Sequence, residues 1–255
     1  MEKEEFSDQM LIFGRHPVVD AIESGKPIDK VWVQIGTHGP FEKDLRRICK
    51  QHNVPLQMVP KERINREARG NHQGVLAWMA AVKYQQLEEV LPMLFEQGKT
   101  PLLLLLDGIT DVRNLGAIAR SAEICGAHAI IVSQKNSARL NDEALKTSAG
   151  ALHHIPICRE KSVQAALKYL KDSGVLILSS EIPAEKKLHE MNLSRPMAFL
   201  IGSEGRGVSR EASEQADIRF QIPQVGQTES YNVSVASGIM LYEAMQQRLG
   251  NSKPT

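Results

Sequence analysis

The chain has 255 residues, 42% of them apolar, and its 31 lysines and arginines nearly balance 30 aspartates and glutamates. This length suffices for one large domain or two ordinary domains with a buried core. The balance of charge excludes a global basic field, so any nucleic-acid binding has to be argued from local charge.

Three cysteines, odd in number and without a C-x-x-C pair, favour neither a disulfide framework nor a zinc cluster. They predict a reducing, cytoplasmic setting. The acidic N-terminus MEKEEFSDQM has no apolar stretch, and the apolar run 102–106 is far too short to cross a bilayer. Neither export nor membrane insertion is expected.

The first eighty residues have the pattern of a small α/β domain, which we place at 1–83. A polar segment follows at 84–99, where a helix ending near Gly98 is expected, and we interpret it as a linker. The elements predicted before it are helices over 16–23 and 41–52 and strands over 30–35 and 74–82.

Basic residues gather between positions 43 and 69, where eight lysines and arginines outnumber three carboxylates. A solvated helix face explains the first four of them. The stretch KERINREARGNHQG lacks a strong apolar stripe and is predicted to be a loop, and loop arginines and amides suit phosphates and base edges. The candidate nucleic-acid-binding residues are Arg63, Arg66, Arg69, Asn71 and His72.

Beyond residue 100, strand and helix patterns alternate. This alternation predicts a mostly parallel sheet covered on both faces by helices, in one domain over 100–250. The predicted strands are 102–106, 128–133, 175–180, 197–202 and 217–222, and the predicted helices are 114–125, 141–148, 162–173 and 233–248.

The first of these strands runs into Asp107-Gly108, a turn and a helix that carries Asn114 and Arg120. Asn114 suits a helix cap as well as a functional role. Arg120 interrupts a row of small apolar residues, and a buried charge there would need a partner or a ligand.

Two later turns combine glycine with polar side chains. Three glycines within residues 202–207 let backbone amides approach a ligand, and the same loop carries Glu204, which also suits the start of a helix. Ser230 and Asn232 precede a helix of small residues, where either one suits an N-cap and where another segment is expected to pack closely.

Together, these segments resemble the SpoU/TrmH family of RNA ribose 2′-O-methyltransferases in the SPOUT superfamily. An Asn-Leu-Gly-x-x-x-Arg-Ser motif occupies 114–121, Gly-x-Glu-x-x-Gly occupies 202–207, and Ser-x-Asn-Val-Ser-x-Ala occupies 230–236. The resemblance covers about 100–250. LIFGRHPVVDAIESG and NHQGVLA are similar, more loosely, to the small substrate-binding domain of family members.

The resemblance implies S-adenosylmethionine as cofactor, RNA as substrate, a homodimer, and a SPOUT-type sheet with a C-terminal trefoil knot behind a small α/β substrate-binding domain. It implies that many cofactor contacts are to main chain, so the tyrosine at 231, where many relatives have leucine, leaves them intact. The implied cofactor-binding residues are Leu200, Gly202, Ile222, Pro223 and Tyr231. The implied catalytic residues are Arg120, Asn114, Glu204, Ser230 and Asn232.

The resemblance implies methylation of a guanosine ribose of large-subunit rRNA, and this is the expected function. A tRNA ribose methyltransferase of the same family is the nearest alternative, which the N-terminal domain and the short C-terminus GNSKPT disfavour. A ribosome-associated RNA-binding protein without catalysis is disfavoured by the intact motifs. A doubly wound nucleotide-binding enzyme is disfavoured by the missing phosphate fingerprint.

No metal is assigned, because His153 and His154 would point to opposite faces of a strand.

Overall fold

The computed structural model describes residues 11–68 and 70–251, and the chain divides into two compact units. The first comprises the chain up to Lys83 together with 139–142, and the second comprises 84–138 and the chain from Glu143 onward. The acidic N-terminus, Arg69 and most of the GNSKPT segment lie outside the described residues. Among the described helices, none has the length and apolarity needed to cross a membrane.

The first unit is built on a four-stranded sheet with the order β1-β4-β2-β3. β2 and β3 pair in parallel, and the other two pairs are antiparallel. The helices α1 and α2 bury their apolar faces against it. The elements in chain order are β1 (Leu11–Phe13), α1 (Arg15–Glu23), β2 (Ile28–Gln34), α2 (Pro40–Gln51), β3 (Leu56–Val59), α3 (Lys61–Glu67) and β4 (Val75–Met79).

The helix α3 occupies the first half of the stretch that was predicted to be a loop, so that prediction is wrong for Lys61–Glu67. Ile64 explains the difference: it is fully buried in a cluster with Trp32, Leu76 and Trp78. A single apolar side chain leaves no periodic stripe in the sequence, but tertiary packing on it stabilises a short helix that the local pattern does not predict.

The second unit is a seven-stranded sheet with the order β7-β6-β5-β10-β8-β11-β9, and neighbouring strands pair in parallel throughout. The prediction of a mostly parallel sheet is confirmed. Its elements are α4 (Leu87–Glu96), β5 (Leu102–Asp107), α5 (Val112–Ile124), β6 (Ala129–Ser133), α6 (Asp142–Thr147), β7 (Ile157–Glu160), α7 (Val163–Asp172), β8 (Leu176–Ser180), β9 (Lys186–Lys187), β10 (Met197–Gly202), α8 (Arg210–Ser213), β11 (Ile218–Gln221) and α9 (Val233–Asn251).

The central strands β5 and β10 are buried along almost their whole length. A parallel strand covered by helices on both faces reads as a continuous apolar run, which is why LLLLL and MAFLI were recognisable. The segment 84–99, predicted to be a linker, contains α4. Its Leu87, Val90, Leu91 and Leu94 are buried in the core of the second unit, so α4 is part of that core.

The strand β7 was not predicted because it contains Arg159 and Glu160, both of which are buried. The pKa of Glu160 is raised mainly by burial, and repulsion from the Glu88 carboxylate raises it further. His153 ends a short 3-10 helix (Ala151–His153), so the strand geometry assumed for the histidine pair is wrong. Within the described residues, no cluster of three or more potential metal ligands occurs.

The three cysteines are free thiols. Burial raises the pKa of Cys49 and of Cys158 to about 12, because a thiolate is poorly solvated in an apolar core. Cys125 is partly exposed, and desolvation raises its pKa as well. At neutral pH all three are therefore poor nucleophiles and poor metal ligands.

Candidate functional site

The site lies at the carboxyl edge of the parallel sheet. The register of β5 and β10 places Asp107 opposite Gly202, so the two strands end side by side, and β8 pairs with the other side of β10. The loops that follow parallel strands meet at this edge, which is where ligands bind in open α/β sheets.

The loop after β10 folds back on the strand it leaves. The amide of Ser203 donates to the carbonyl of Gly207 at 3.1 Å, and the amide of Gly207 donates to the carbonyl of Ser203 at 2.8 Å. The Asp107 carboxylate accepts from the amide of Ser209 at 2.8 Å. A Cβ atom on Gly202 would lie 1.9 Å from the carbonyl carbon of Gly207, so the fold requires glycine there.

The carboxylate of Glu204 connects all three sequence motifs. Its Oε1 accepts hydrogen bonds from the side-chain amides of Asn114, at 3.4 Å, and Asn232. It also accepts one from the backbone amide of Val233 at 3.4 Å. Asn232 also donates to Asn114 Oδ1 at 3.2 Å. Three residues far apart in sequence therefore form one hydrogen-bonded group at the N-terminus of α9.

The helix caps distinguish the two roles considered for the asparagines. Asp111 caps α5 by accepting from the amide of Arg113 at 2.7 Å, so Asn114 is not the cap and its side chain is available to Glu204. Asn232 does cap α9, because its Oδ1 accepts from the amides of Ser234 and Val235, while its Nδ2 joins the Glu204 group.

Next to this group is a cleft of about 460 Å³. Of the residues expected to bind a cofactor, Gly202, Ile222 and Tyr231 line it. Leu200 is fully buried in β10, and Pro223 accepts a hydrogen bond from the Tyr231 hydroxyl at 3.4 Å. Of the residues expected to be catalytic, Glu204 and Ser230 line the cleft. Asn114 and Asn232 do not line it, but both donate hydrogen bonds to Glu204.

The segment after β8 also contributes to the cleft, although the sequence did not indicate it: Glu181 and Ile182 line the cleft. The Glu181 carboxylate accepts from Ser179 Oγ at 2.5 Å and from Ser213 Oγ at 3.0 Å. No local signal marks these residues, because they reach the cleft only through the pairing of β8 with β10.

Gln224 is a second residue that was missed. It lines the cleft, and its Nε2 is buried without a hydrogen-bond partner among the described residues. A buried amide donor is costly unless it is paired, so this atom suits an acceptor on a ligand.

Arg120 lies outside the cleft. It is exposed on α5, and it is not among the described residues that line the cleft. The apolar row that it interrupts forms the buried face of α5, which includes Leu115, Ile118, Ala119 and Ala122.

The residues expected to bind nucleic acid belong to the first unit. Arg63 and Arg66 lie on α3 and are exposed, as is Asn71. His72 is only 8% exposed, and its ring contacts Asn65 at 2.7 Å and accepts from the amide of Gly74 at 3.0 Å. His72 therefore orders the turn before β4.

The fold and the cleft define a two-unit α/β protein with a ligand site at the carboxyl edge of a parallel sheet. Comparison with the profiles of known protein families identifies the class of protein more specifically. The profile of the SpoU rRNA Methylase family matches residues 101–242, and that described as RNA 2′-O ribose methyltransferase substrate binding matches 11–85. The chain belongs to the SpoU/TrmH family of RNA methyltransferases.

Curated relatives match over nearly their whole length. A protein of Staphylococcus saprophyticus, named as a TrmH family tRNA/rRNA methyltransferase, is 34% identical over 94% of this chain and 97% of its own. YacO of Bacillus subtilis, named in the same way, is 30% identical over 93% of this chain and 95% of its own.

Solved structures share the fold. The SpoU methyltransferase AviRb of Streptomyces viridochromogenes, in complex with AdoMet, superposes with a TM-score of 0.60 at 22% identity, over 94% of this chain and 90% of its own. The TrmH/SpoU tRNA modifying enzyme of A. aeolicus superposes with a TM-score of 0.55 at 29% identity, over 65% of this chain and 85% of its own.

The close approach at Gly202 gives a stability prediction. Gly202→Ala should lower the free energy of unfolding by about 3 kcal/mol or more, because the new Cβ would overlap backbone atoms that cannot move independently. Gly226→Ala, where a Cβ would meet no atom within 4 Å, should change it by less than about 0.5 kcal/mol. Urea unfolding followed by far-UV circular dichroism checks both, and equal stabilities would contradict the steric explanation.

Proposed function

We propose that this protein methylates the 2′-hydroxyl of a ribose in RNA with S-adenosylmethionine as cofactor, and that its substrate is a guanosine of large-subunit rRNA in the cytoplasm. The observation that carries the proposal is the Glu204 group, which joins the three motifs beside one cleft. The trefoil knot implied by the family resemblance is part of the proposal.

The residues around the cleft fit the proposed cofactor. Backbone groups of the 202–207 loop are accessible because of its glycines, Gln224 offers a buried amide donor, and Glu181 and Glu229 offer acceptors for hydroxyl or amino groups. In this proposal Gly202, Ile222 and Tyr231 hold the cofactor through main chain, with Leu200 and Pro223 supporting them. When bound, S-adenosylmethionine supplies a methyl group activated by a sulfonium.

The protein has to position a ribose hydroxyl and make it more nucleophilic. Positioning alone contributes roughly 7–11 kcal/mol in the best intramolecular cases. Arginine side chains are protonated at neutral pH, so we assign Arg120 an electrostatic role: it binds the adjacent phosphate and favours loss of the hydroxyl proton. Asn114, Glu204 and Asn232 hold the loops, and Ser230, exposed at the rim of the cleft, contacts the RNA.

A homodimer is part of the proposed active form, and its support is an exposed apolar stripe on α9. Val235, Tyr242 and Leu249 are 51%, 56% and 61% exposed and are spaced seven residues apart, so they lie along one side of the helix. On the neighbouring helix α5, Ile124 is 66% exposed and lies one turn after Arg120. Such a stripe suits a second copy of the chain.

This dimer would also explain the position of Arg120. The arginine lies on the same side of α5 as the exposed Ile124 and does not line the cleft of its own chain. We propose that it reaches the cleft of the partner subunit, so that each active site combines the cleft of one copy with the arginine of the other.

The choice of rRNA over tRNA rests on the substrate-binding match over 11–85. The relatives are named for both kinds of RNA, and the tRNA modifying enzyme of A. aeolicus aligns with only 65% of this chain. A tRNA ribose methyltransferase, or a ribosome-associated RNA-binding protein without catalysis, is the alternative outcome of the tests below.

The role of Arg120 predicts a separation of binding from turnover. Arg120→Ala should lower the single-turnover rate of methyl transfer by at least about 100-fold, because a charge near the reacting oxygen is lost, and should leave cofactor affinity near the wild-type value. Arg113→Ala, an exposed arginine of the same helix paired with Glu143, is the matched control and should retain activity. Calorimetry and a labelled-methyl assay measure the two quantities, and unchanged turnover would refute the role.

The dimer predicts that Tyr242→Glu gives monomers, since a charge in an apolar interface should weaken association by about 100-fold. Gln164→Glu, an exposed substitution of the same kind on α7 and outside the stripe, is the control. Sedimentation velocity measures both.

A test of the arginine uses a 1:1 mixture of Arg120→Ala and Ala236→Phe chains that is allowed to exchange subunits, where the phenylalanine fills the cleft. The mixture should recover about a quarter of wild-type activity if the arginine acts across the interface, because half of the dimers are then mixed and each of these has one complete site. No recovery would place Arg120 in its own subunit's site.

The substrate prediction is tested in cells lacking the gene. Mass-spectrometric mapping of ribose methylation should show one 2′-O-methylguanosine missing from large-subunit rRNA and restored by the wild-type gene but not by Arg120→Ala. A methyl group missing only from tRNA would favour the tRNA alternative. Unchanged methylation of both RNAs would favour a non-catalytic RNA-binding protein.

A further inference from the structure

Three cationic side chains of the first unit converge on two tryptophans. The rings of Trp32 and Trp78 meet edge to face, with centroids 4.3 Å apart. Lys30 Nζ lies 5.3 Å from the first centroid and 4.9 Å from the second. The guanidinium of Arg63 lies 4.4 Å from the Trp32 centroid, and that of Arg139 lies 5.5 Å from the Trp78 centroid. We call these five residues the indole–cation cluster.

The cluster is electrostatically unfavourable for Lys30. Burial lowers the pKa of its ammonium group, and repulsion from Arg139 and Arg63 lowers it further, against weaker attraction from Asp29 and Glu67. Two nearby carboxylates therefore do not compensate for the burial and the two guanidinium groups. A bound anion would remove this imbalance, because it would favour the charged form of Lys30.

Exposure indicates which part of a nucleic acid fits the cluster. The two tryptophans are only 3% and 6% exposed, so neither offers a free ring face on which a base could stack. Arg63 is exposed, and Lys30 and Arg139 are half-buried, so the accessible groups are N–H donors. Guanidinium and ammonium groups converging in this way suit a phosphate.

We propose that the indole–cation cluster binds a backbone phosphate of the RNA substrate, with the tryptophan pair holding Lys30, Arg63 and Arg139 in position. This inference rests on the proposed function, since it names a contact of the same RNA. It extends the candidate nucleic-acid-binding surface on α3 to β2 and to 139–142, the segment that clusters with the first unit.

Equilibrium binding of the full-length protein to a fluorescent large-subunit rRNA fragment, measured over a range of salt concentrations, tests the contact. Lys30→Gln and Arg63→Gln should each weaken binding by about fivefold at 0.1 M salt. Each should also reduce the slope of log affinity against log salt by about 0.7, as expected for one lost phosphate contact to single-stranded RNA. Lys26→Gln, which removes an exposed lysine of the same unit outside the cluster, should change affinity less than twofold.

Lys30→Arg separates charge from packing, because it keeps the charge and should retain the wild-type salt slope even if thermal stability falls. Wild-type slopes in both Lys30→Gln and Arg63→Gln, or an equal loss in Lys26→Gln, would overturn the phosphate site. Methyl transfer measured on the same samples keeps the two proposals apart. A wild-type protein that binds this RNA with the predicted salt dependence but transfers no methyl group would overturn the proposed function and leave the phosphate site supported.

Discussion

One carboxylate, that of Glu204, holds the candidate site together. It accepts hydrogen bonds from Asn114, Asn232 and the first amide of α9, groups that lie 90, 28 and 29 residues away in the sequence. A carboxylate at a helix N-terminus is favoured by the helix dipole, and the partly buried amide of Val233 would lose a hydrogen bond without it. The shape of the cleft depends on this group, because the loop after β10 and the start of α9 form its walls.

The loop that carries Glu204 is itself constrained by Gly202. The strand passes so close to Gly207 and Val208 that only a residue without a Cβ fits. The glycines of the second motif therefore have a steric role in addition to leaving backbone accessible to a ligand. Close packing recurs on α5, where a Cβ on Gly116 would lie 2.7 Å from the carbonyl oxygen of Ala144.

The cleft contains only part of the proposed machinery. Arg120 lies on the exposed side of α5, next to the exposed apolar side chain of Ile124, and exposed apolar surface of this kind suits association with a second copy. In the proposed dimer, the surface that holds the two copies together also places Arg120 at the cleft of the partner subunit. Folding, assembly and activity are therefore coupled. Methyl transfer also requires that the polyanionic RNA is held while its ribose is positioned. The indole–cation cluster would contribute to this by binding a phosphate.

The amino-acid sequence by itself determined the local features: the apolar strands β5 and β10, the glycine turn at 202–207 and the polar residues at 114, 204 and 232. These follow from periodicity and turn chemistry, which act over a few residues. Only the tertiary structure decided that β8 lies beside β10 and brings Glu181 to the cleft, that Ile64 makes α3 a helix, and that Arg120 faces outward. Strand order and side-chain packing join residues far apart in the chain, and no local pattern encodes them.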